Sequence, residues 1–511
     1  LTSNNSQVAP SDYRSYVRQE ENSRWLSTLK VPLGIYCLSG TNERNLFNRL
    51  MHRIGEAPVV YNDTLTSYSA AALRLALQSK GYLQARVDTT LTRKGRRATL
   101  TYHLKPGNRS YVHELRREFD NDTVRRLIMA DSSASRLYRG MPLDLALLSE
   151  ERTRIVHRLQ NSGYMNVNNE FVSFVADTLP LSQAVRLTLQ VQAPHGVDRK
   201  MAYQVYRIGR VALTELNADE APTDSSFYRG VTFEAAGQTR INRRTYVRNL
   251  FVLPDSLYRD VATQYTYQNL NALAAVNYSN IHYAQPALGD STVNVHLLVQ
   301  LNKPNGITFD LEGTNTAGDF GGAATLTYTQ RNLFRGAESF FLKFRGAYEA
   351  IRQLEGYRNQ NYTEYGVEAT LRFPTLPVSP GERHLRTYKG STDFSLMYNS
   401  QNRPEFYRRL LTATWSVDWN RHARPNLRHH LDIASLNYVF MPWISDTFRR
   451  TYLEGDNPRY AVLRYSYENL FIMRSAYSFV YNSLRTPGMG NLYRTNGYQI
   501  RAGVETAGNL L

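Results

Sequence analysis

The chain has 511 residues, enough for several domains, and a formal net charge of +17 carried mostly by arginine. Its one cysteine, Cys37, excludes an internal disulfide framework and a cysteine-built metal site. No apolar run approaches the ~20 residues of a transmembrane helix, a test that barrel strands of ~9–11 residues with only alternate positions apolar would pass unnoticed.

In chain order, residues 1–45 read as the remainder of an N-terminal repeat. The chain opens on Leu1 rather than Met, which is expected of a processed chain or a fragment. Cys37 lies in "LGIYCLSG" and is expected half-buried in a strand-like run. Three α+β repeats follow, over 46–107, 108–196 and 197–303. In the first, Leu73, Ala76 and Leu77 fall on one face of a helix. In the second, Leu145, Leu148, Arg152, Ile155, Val156 and Leu159 do the same, with the stem of Arg152 covering apolar surface. These helices end at Gly81-Tyr82 and Gly163-Tyr164. The glycine suits the left-handed position that closes a helix, and the tyrosine leads toward a strand pair, in the second repeat about Glu170–Ala176 and Ala184–Val191. The third repeat begins at "YRIGRVALTEL", carries a helix over about 258–276, and closes with "STVNVHLLVQL". Asn277-Tyr278 is expected to form its corner, since Asn tolerates the left-handed region.

From Ile307 the period changes to two. Ile307, Phe309 and Leu311 oppose Thr308, Asp310 and Glu312; Phe340, Leu342 and Phe344 oppose Lys343 and Arg345. Tyr365, Val367, Ala369 and Leu371 oppose Glu364, Glu368 and Arg372, and Leu411, Ala413, Trp415, Val417 and Trp419 oppose Thr412, Thr414, Ser416 and Asp418. Further strands are expected at 463–468, 477–482 and 498–505, about ten over 304–511. Their length, the lack of helices between them, and the pairing of an aromatic-rich face with a charged one point to an antiparallel transmembrane barrel. On that reading Lys343, Arg345, Glu368 and Arg372 face an aqueous lumen. Between two early strands lies a turn, Arg331, Asn332, Leu333, Phe334, Arg335 and Gly336, and counting strand directions places it on the same side as the repeats.

Candidate chemistry is sparse. His422, His429 and His430 cluster in basic turn sequence, "RHARPNLRHH", with no carboxylate at ligand spacing. "GDFGGAA" has no helix behind it to make a nucleotide loop, and "ERTRIVHRL" reads as a solvated helix face. The arginines are scattered over hairpins rather than gathered in one stripe, which argues against nucleic acid. No catalytic residue, cofactor or metal is expected, and the chain reads as a non-enzyme.

The helix, Gly-Tyr corner and closing strand pair, recurring in order, resemble POTRA domains, and "RNLFRGAE" resembles the early barrel turn of the BamA/TamA outer-membrane assembly family. "LGIYCLSG", "IGEAPVVYND", "NSGYMNV" and "ETAGNLL" are similar to its TamL branch. The lipidated cysteine of that branch and the late lumenal Arg-Gly loop are not present, and the family barrel has about sixteen strands, so the resemblance implies a fragment. It implies α+β POTRA-like repeats in the periplasm followed by part of an outer-membrane barrel. It further implies outer-membrane lipid, unfolded outer-membrane client proteins and a TamB-type periplasm-spanning partner, with a seam near Ile307–Gly313 that templates client strands. Two other classes stay open: a two-partner-type secretion pore, and a soluble multidomain binding protein.

Overall fold

The computed structural model describes residues 1–24, 29–39, 46–95, 97–178, 184–216, 222–284, 289–316, 319–351, 361–376, 387–454, 460, 464–484 and 497–509. It divides into two units, Leu1–Val156 with Val167–Val197, and His157–Asn166 with Asp198–Leu511.

The first unit opens with β1 (Thr2–Ser3), α1 (Val31–Cys37), α2 (Leu46–Ile54), α3 (Asp63–Ser79), β2 (Arg86–Lys94) and β3 (Arg97–Lys105). Asn62 caps α3 by accepting from the Leu65 amide at 3.2 Å. The α3 face of Leu73, Ala76 and Leu77 is buried with Tyr82, Tyr102 and Leu104, and Val8 and Tyr13 from the start of the chain enter the same core. Cys37 is exposed and ends a helix, where a half-buried strand position was expected. Pro32 near the start of that helix presets its φ, and apolar residues alone could not tell a short helix from a strand there.

Next come β4 (Tyr111–Phe119), α4 (Asp122–Ala130), α5 (Leu145–Gln160), β5 (Val172–Thr178) and β6 (Ala184–Val191). Their sheet has the order β4-β6-β5, with β4 parallel to β6. The pairing of β4 slips between Val112 and Glu114, and this bulge hides its period-two signal in the sequence. Leu145, expected on the core face of α5, is the first residue of the helix and is 56% exposed. "ERTRIVHRL" is not wholly a solvated face. Glu151 is buried and accepts from Ser135 Oγ at 2.7 Å, the Arg136 amide at 3.1 Å and Arg154 Nε at 2.9 Å. Burial pushes its carboxyl up, and these donors outweigh burial and hold it below the usual carboxylate range.

The second unit contains α6 (Arg199–Ala202), β7 (Arg207–Leu216), β8 (Asp224–Tyr228), β9 (Val231–Ala235), α7 (Arg243–Asn249), α8 (Asp260–Leu270), β10 (Val276–Tyr283) and β11 (Thr292–Leu301). The sheet order β10-β11-β7-β9-β8 closes over a core that includes Val211, Leu213, Phe233, Tyr246 and Leu297. The expected corner at Asn277-Tyr278 is not one. α8 stops at Leu270, and Asn277 is the bulged residue where the β10–β11 register slips. Asn271, just past α8, accepts from Ser279 Oγ at 2.8 Å and so fixes the chain reversal six residues earlier.

Nine antiparallel strands follow in sequence: β12 (Asn305–Thr316), β13 (Asp319–Arg331), β14 (Ser339–Ala350), β15 (Tyr362–Phe373), β16 (Tyr388–Asn402), β17 (Phe406–Arg421), β18 (Arg424–Ile444), β19 (Leu470–Asn482) and β20 (Gln499–Asn509). Nine strands lie among the described residues, where about ten were expected over 304–511. At 464–467 the described chain makes a helical turn and a reversal. There Arg464 donates to the Leu453 carbonyl at 3.1 Å, and Tyr467 packs on Phe406 and Phe448. Leu463, the other end of that alternation, lies outside the described residues. The segment "RHARPNLRHH", expected as a turn, enters strand β18 at Arg424.

Register makes the two faces of this sheet consistent across strands. Phe309 pairs with Leu326, Leu326 with Phe344, Phe344 with Val367, Val367 with Tyr398 and Tyr398 with Leu411. One strand position away, Lys343 pairs with Glu368, and ion pairs cross the other face. Arg345 meets Glu312 at 3.1 Å, Arg372 meets Asp393 at 2.6 Å, and Arg474 meets Asp432 at 2.6 Å. The apolar face is uncovered: Ile307 is 75% exposed, and Phe309, Phe344, Leu396 and Leu411 are exposed as well. Strands of 11 to 21 residues are long against a usual ~5–6. No described helix is long and apolar enough to cross a membrane.

Candidate functional site

The site with the most built geometry is the junction between the β7–β11 sheet with its helices and one end of the nine-stranded sheet. Three described segments at that end meet it: the 332–338 turn, residues 373–375 at the end of β15, and 422–423.

The first turn locks itself. Asn332 and Leu333 amides donate to the Glu338 carbonyl at 2.6 and 3.1 Å, and the Ala337 amide donates to Asn332 Oδ1 at 2.9 Å. Glu338 Oε2 accepts from the Phe334 and Gly336 amides at 3.1 and 2.8 Å. The turn then engages the loop ahead of α7. Asn332 Nδ2 donates to the Arg240 carbonyl at 3.0 Å, Arg335 Nη2 donates to the Thr239 carbonyl at 2.6 Å, and the Asn242 amide donates to the Arg335 carbonyl at 2.6 Å. Ala337 is 2% exposed and belongs to the core that includes Phe233 and Tyr246. Leu333 contributes its backbone here, while Phe334 is exposed and stacks on Phe373 at 6.5 Å.

A buried carboxylate supports the receiving loop. Glu215, at the end of β7, is 2% exposed. It accepts from the Arg240 amide at 2.6 Å, the Ile241 amide at 3.4 Å and Tyr246 Oη at 2.6 Å. A carboxylate this buried is tolerable only when such donors replace water. Burial, then the Glu215 charge, pushes the Tyr246 hydroxyl well above its ordinary range, so it stays a donor. Thr239 and Arg240, whose carbonyls receive the turn, are thereby fixed from behind. Nothing in the local sequence marks Glu215 in "ALTELN", because its donors lie 25 to 31 residues away.

The third contact is aromatic. His422, between β17 and β18, is buried between Phe251 and Tyr265, with ring centroids at 5.0 and 4.9 Å. Its Nε2 lies 3.5 Å from Asn269 Nδ2, and its amide donates to the Thr387 carbonyl at 3.2 Å. Lys389 Nζ reaches the Gln268 carbonyl at 3.3 Å. Burial pushes the His422 imidazole down to about 4, and the Lys389 charge adds to this. The other two clustered histidines go elsewhere. His429 stacks on Trp419 at 5.1 Å, while His430 on the polar face meets Asp418 and Asp432, each at 3.1 Å. Carboxylates do reach His430: Asp418 sits opposite it on the neighbouring strand, and Asp432 lies two residues along its own strand, just past the segment read as a turn. The three histidines occupy three separate environments.

The expected corners have the geometry glycine permits. Gly81 has φ +92° and Gly163 has φ +97°, and Tyr82 and Tyr164 beside them are buried. A Cβ at Gly81 would stand 2.4 Å from the Leu143 carbonyl oxygen, and one at Gly163 would stand 2.7 Å from Val205 Cγ1. Lys343, Arg345, Glu368 and Arg372 share the polar face of the sheet.

No family model and no curated protein matches the sequence. Among solved structures, the chain is similar to POTRA domains 3–5 of Haemophilus influenzae BamA, at 13% identity over 59% of this chain and 94% of that one, TM-score 0.31. It is also similar to Haemophilus ducreyi BamA lacking POTRA domains 1–3, at 12% identity over 78% and 71%, TM-score 0.32. CdiB from Acinetobacter baumannii follows at 11% identity over 79% and 70%, TM-score 0.25. These are distant likenesses.

Proposed function

We propose that the chain is an outer-membrane assembly or translocation factor, with repeats over 46–107, 108–196 and 197–303 in the periplasm and 304–511 forming part of a transmembrane barrel. The observation that carries this is the nine-stranded sheet itself, with long strands, one uncovered apolar face and a ladder of ion pairs on the other. A soluble protein rarely leaves so large an apolar face in water, whereas in a barrel that face meets lipid and the charged face lines an aqueous lumen. Lys343, Arg345, Glu368 and Arg372 are then lumenal charges.

Client recognition proceeds by strand addition. Thr2–Ser3 already lies as a parallel strand against His103 and Leu104, which supports the ability of a repeat edge to take an extended segment. Backbone hydrogen bonds give such pairing affinity for unrelated sequences. No covalent chemistry or cofactor enters this mechanism. A TamB-type partner and a place in the TamL branch belong to the proposal on the sequence phrases alone.

The test is single-cysteine labelling with an impermeant reagent on intact cells, in a Cys37→Ser background. Asn361 precedes β15 at the end of the sheet opposite the 332–338 turn, and Phe334 lies in that turn. Asn361→Cys should label and Phe334→Cys should not. The reverse pattern overturns the periplasmic placement of the repeats, and recovery of the protein in the soluble fraction without detergent overturns the membrane reading.

A further inference from the structure

Between the 239–248 segment, the 332–338 turn and the end of β15 lies a cavity of about 570 Å³. Four arginines line it: Arg243, Arg244, Arg248 and Arg335. Among the described residues its one lining carboxylate is Glu338, whose Oε2 already accepts two amides of its own turn. The excess of guanidinium fits an anion, and Arg is the side chain whose planar fork suits phosphate oxygens. Phe373 closes one wall of this cavity. It also begins an aromatic run along the apolar face, to Phe394 at 6.1 Å and on to Trp415 at 5.6 Å. That run borders a second, apolar groove of about 330 Å³, floored by the small residues Ala369, Ala413 and Ala434.

A charged cavity joined by one aromatic wall to an apolar groove is complementary to an amphiphile with an anionic head. We propose that this junction binds an anionic glycerophospholipid, its phosphodiester against Arg243 and Arg244 and its acyl chain along Phe373 and the alanine-floored groove. The inference rests on the membrane reading above and adds a specific lipid to it. The ligand would tie the repeat's orientation to the membrane surface, because Arg243 and Arg244 belong to α7 of the repeat and the groove to the sheet.

The experiment reconstitutes the full chain into phosphatidylcholine vesicles doped with phosphatidylglycerol, extracts it in mild detergent, and counts retained lipids by native mass spectrometry. Wild type should retain phosphatidylglycerol over phosphatidylcholine. The R243Q/R244Q double variant should lose that preference by about tenfold, the equivalent of one charge-assisted hydrogen bond. Arg244→Gln alone, at an exposed position, should lose part of it and serves where the double variant misfolds. Phe373→Ala should weaken phosphatidylglycerol retention without changing displacement by glycerol phosphate. Wild type that retains both lipids equally, or arginine variants that retain wild-type preference, overturn the lipid site while leaving the assembly reading intact. Phosphatidylglycerol retention that is unchanged by Phe373→Ala while inorganic phosphate still displaces it assigns the cavity to a free anion and overturns the lipid site equally. A chain that never enters the vesicles overturns both readings.

Discussion

The junction should loosen in acid, and the histidine at its centre sets how much. His422 is buried between Phe251 and Tyr265 with Lys389 nearby, and its imidazole titrates at about 4 in place of the ordinary 6.5. The folded value is depressed, so the docked state favours the neutral ring. Its contribution is complete above about 6.5, falls as pH drops toward 4, and stops changing below that. The full difference is about 3 kcal/mol, and around pH 5 the loss is about 2 kcal/mol, roughly thirtyfold in the opening constant. The reporters are the Phe251 and Val252 amides, which donate to Thr266 Oγ1 at 2.9 and 3.4 Å beside the ring. Their hydrogen exchange, corrected for intrinsic rate, should accelerate between pH 6.5 and 4 in wild type and much less in His422→Asn. Lys389→Met should shrink the acid effect by removing the like charge. Parallel profiles for wild type and His422→Asn would show that the ring protonates without undocking, and would refute the assignment of the contact to a neutral histidine.

Other consequences follow from single atoms. Gly81→Ala places a methyl 2.4 Å from the Leu143 carbonyl at φ +92°, and thermal melting of the full chain should show its repeat destabilised by more than ~1 kcal/mol. Glu215→Ala strands the Tyr246 hydroxyl and two amides in a buried site, which should cost about 2–4 kcal/mol in urea unfolding of the β7–β11 sheet and its helices. On the proposed barrel reading, Leu342→Arg on the apolar face should reduce membrane insertion by ~2–4 kcal/mol near a bilayer midplane, while Lys343→Thr on the polar face should be tolerated. Equal tolerance of those two in a vesicle folding assay would contradict the assignment of faces.

What the sequence made legible is what depends on short spacing. Leu73, Ala76 and Leu77 are one helical face whatever they pack against, and Gly81 and Gly163 stand where a helix must reverse. Alternation over Tyr365–Phe373 or Leu411–Trp419 reads directly as strand because cross-strand register preserves it. The misreadings share a cause, which is a local pattern overruled by a distant partner. The bulge at Asn277 exists because β10 must pair with β11, and nothing near Asn277 encodes that slip. The alternation around Tyr465 is genuine, yet Arg464 and Tyr467 find partners in Leu453, Phe406 and Phe448 instead of a ladder. Glu215 and His422 are invisible as site residues because the donors and rings that give them their roles come from distant parts of the chain.

The turn 331–338 shows how such dependence is written into a motif. A self-contained turn would place glycine or asparagine at each left-handed position, since most other residues lose about 1 kcal/mol there. Here the positive φ values fall on Asn332 (+74°), Arg335 (+64°) and Ala337 (+64°), and Gly336 is not among them. Each of the three does something glycine cannot. Asn332 accepts from Ala337 and donates to Arg240, Arg335 donates to Thr239, and the Ala337 methyl fills the repeat's core. The strain is tolerable only while the repeat is docked to supply those partners, so the turn's backbone conformation and the junction are coupled. Anything that opens the junction removes the compensation and leaves the strained residues free to relax. The recognisable run Arg331–Gly336 therefore encodes an interface as much as a reversal, and its residues act through the loop that Glu215 holds in place.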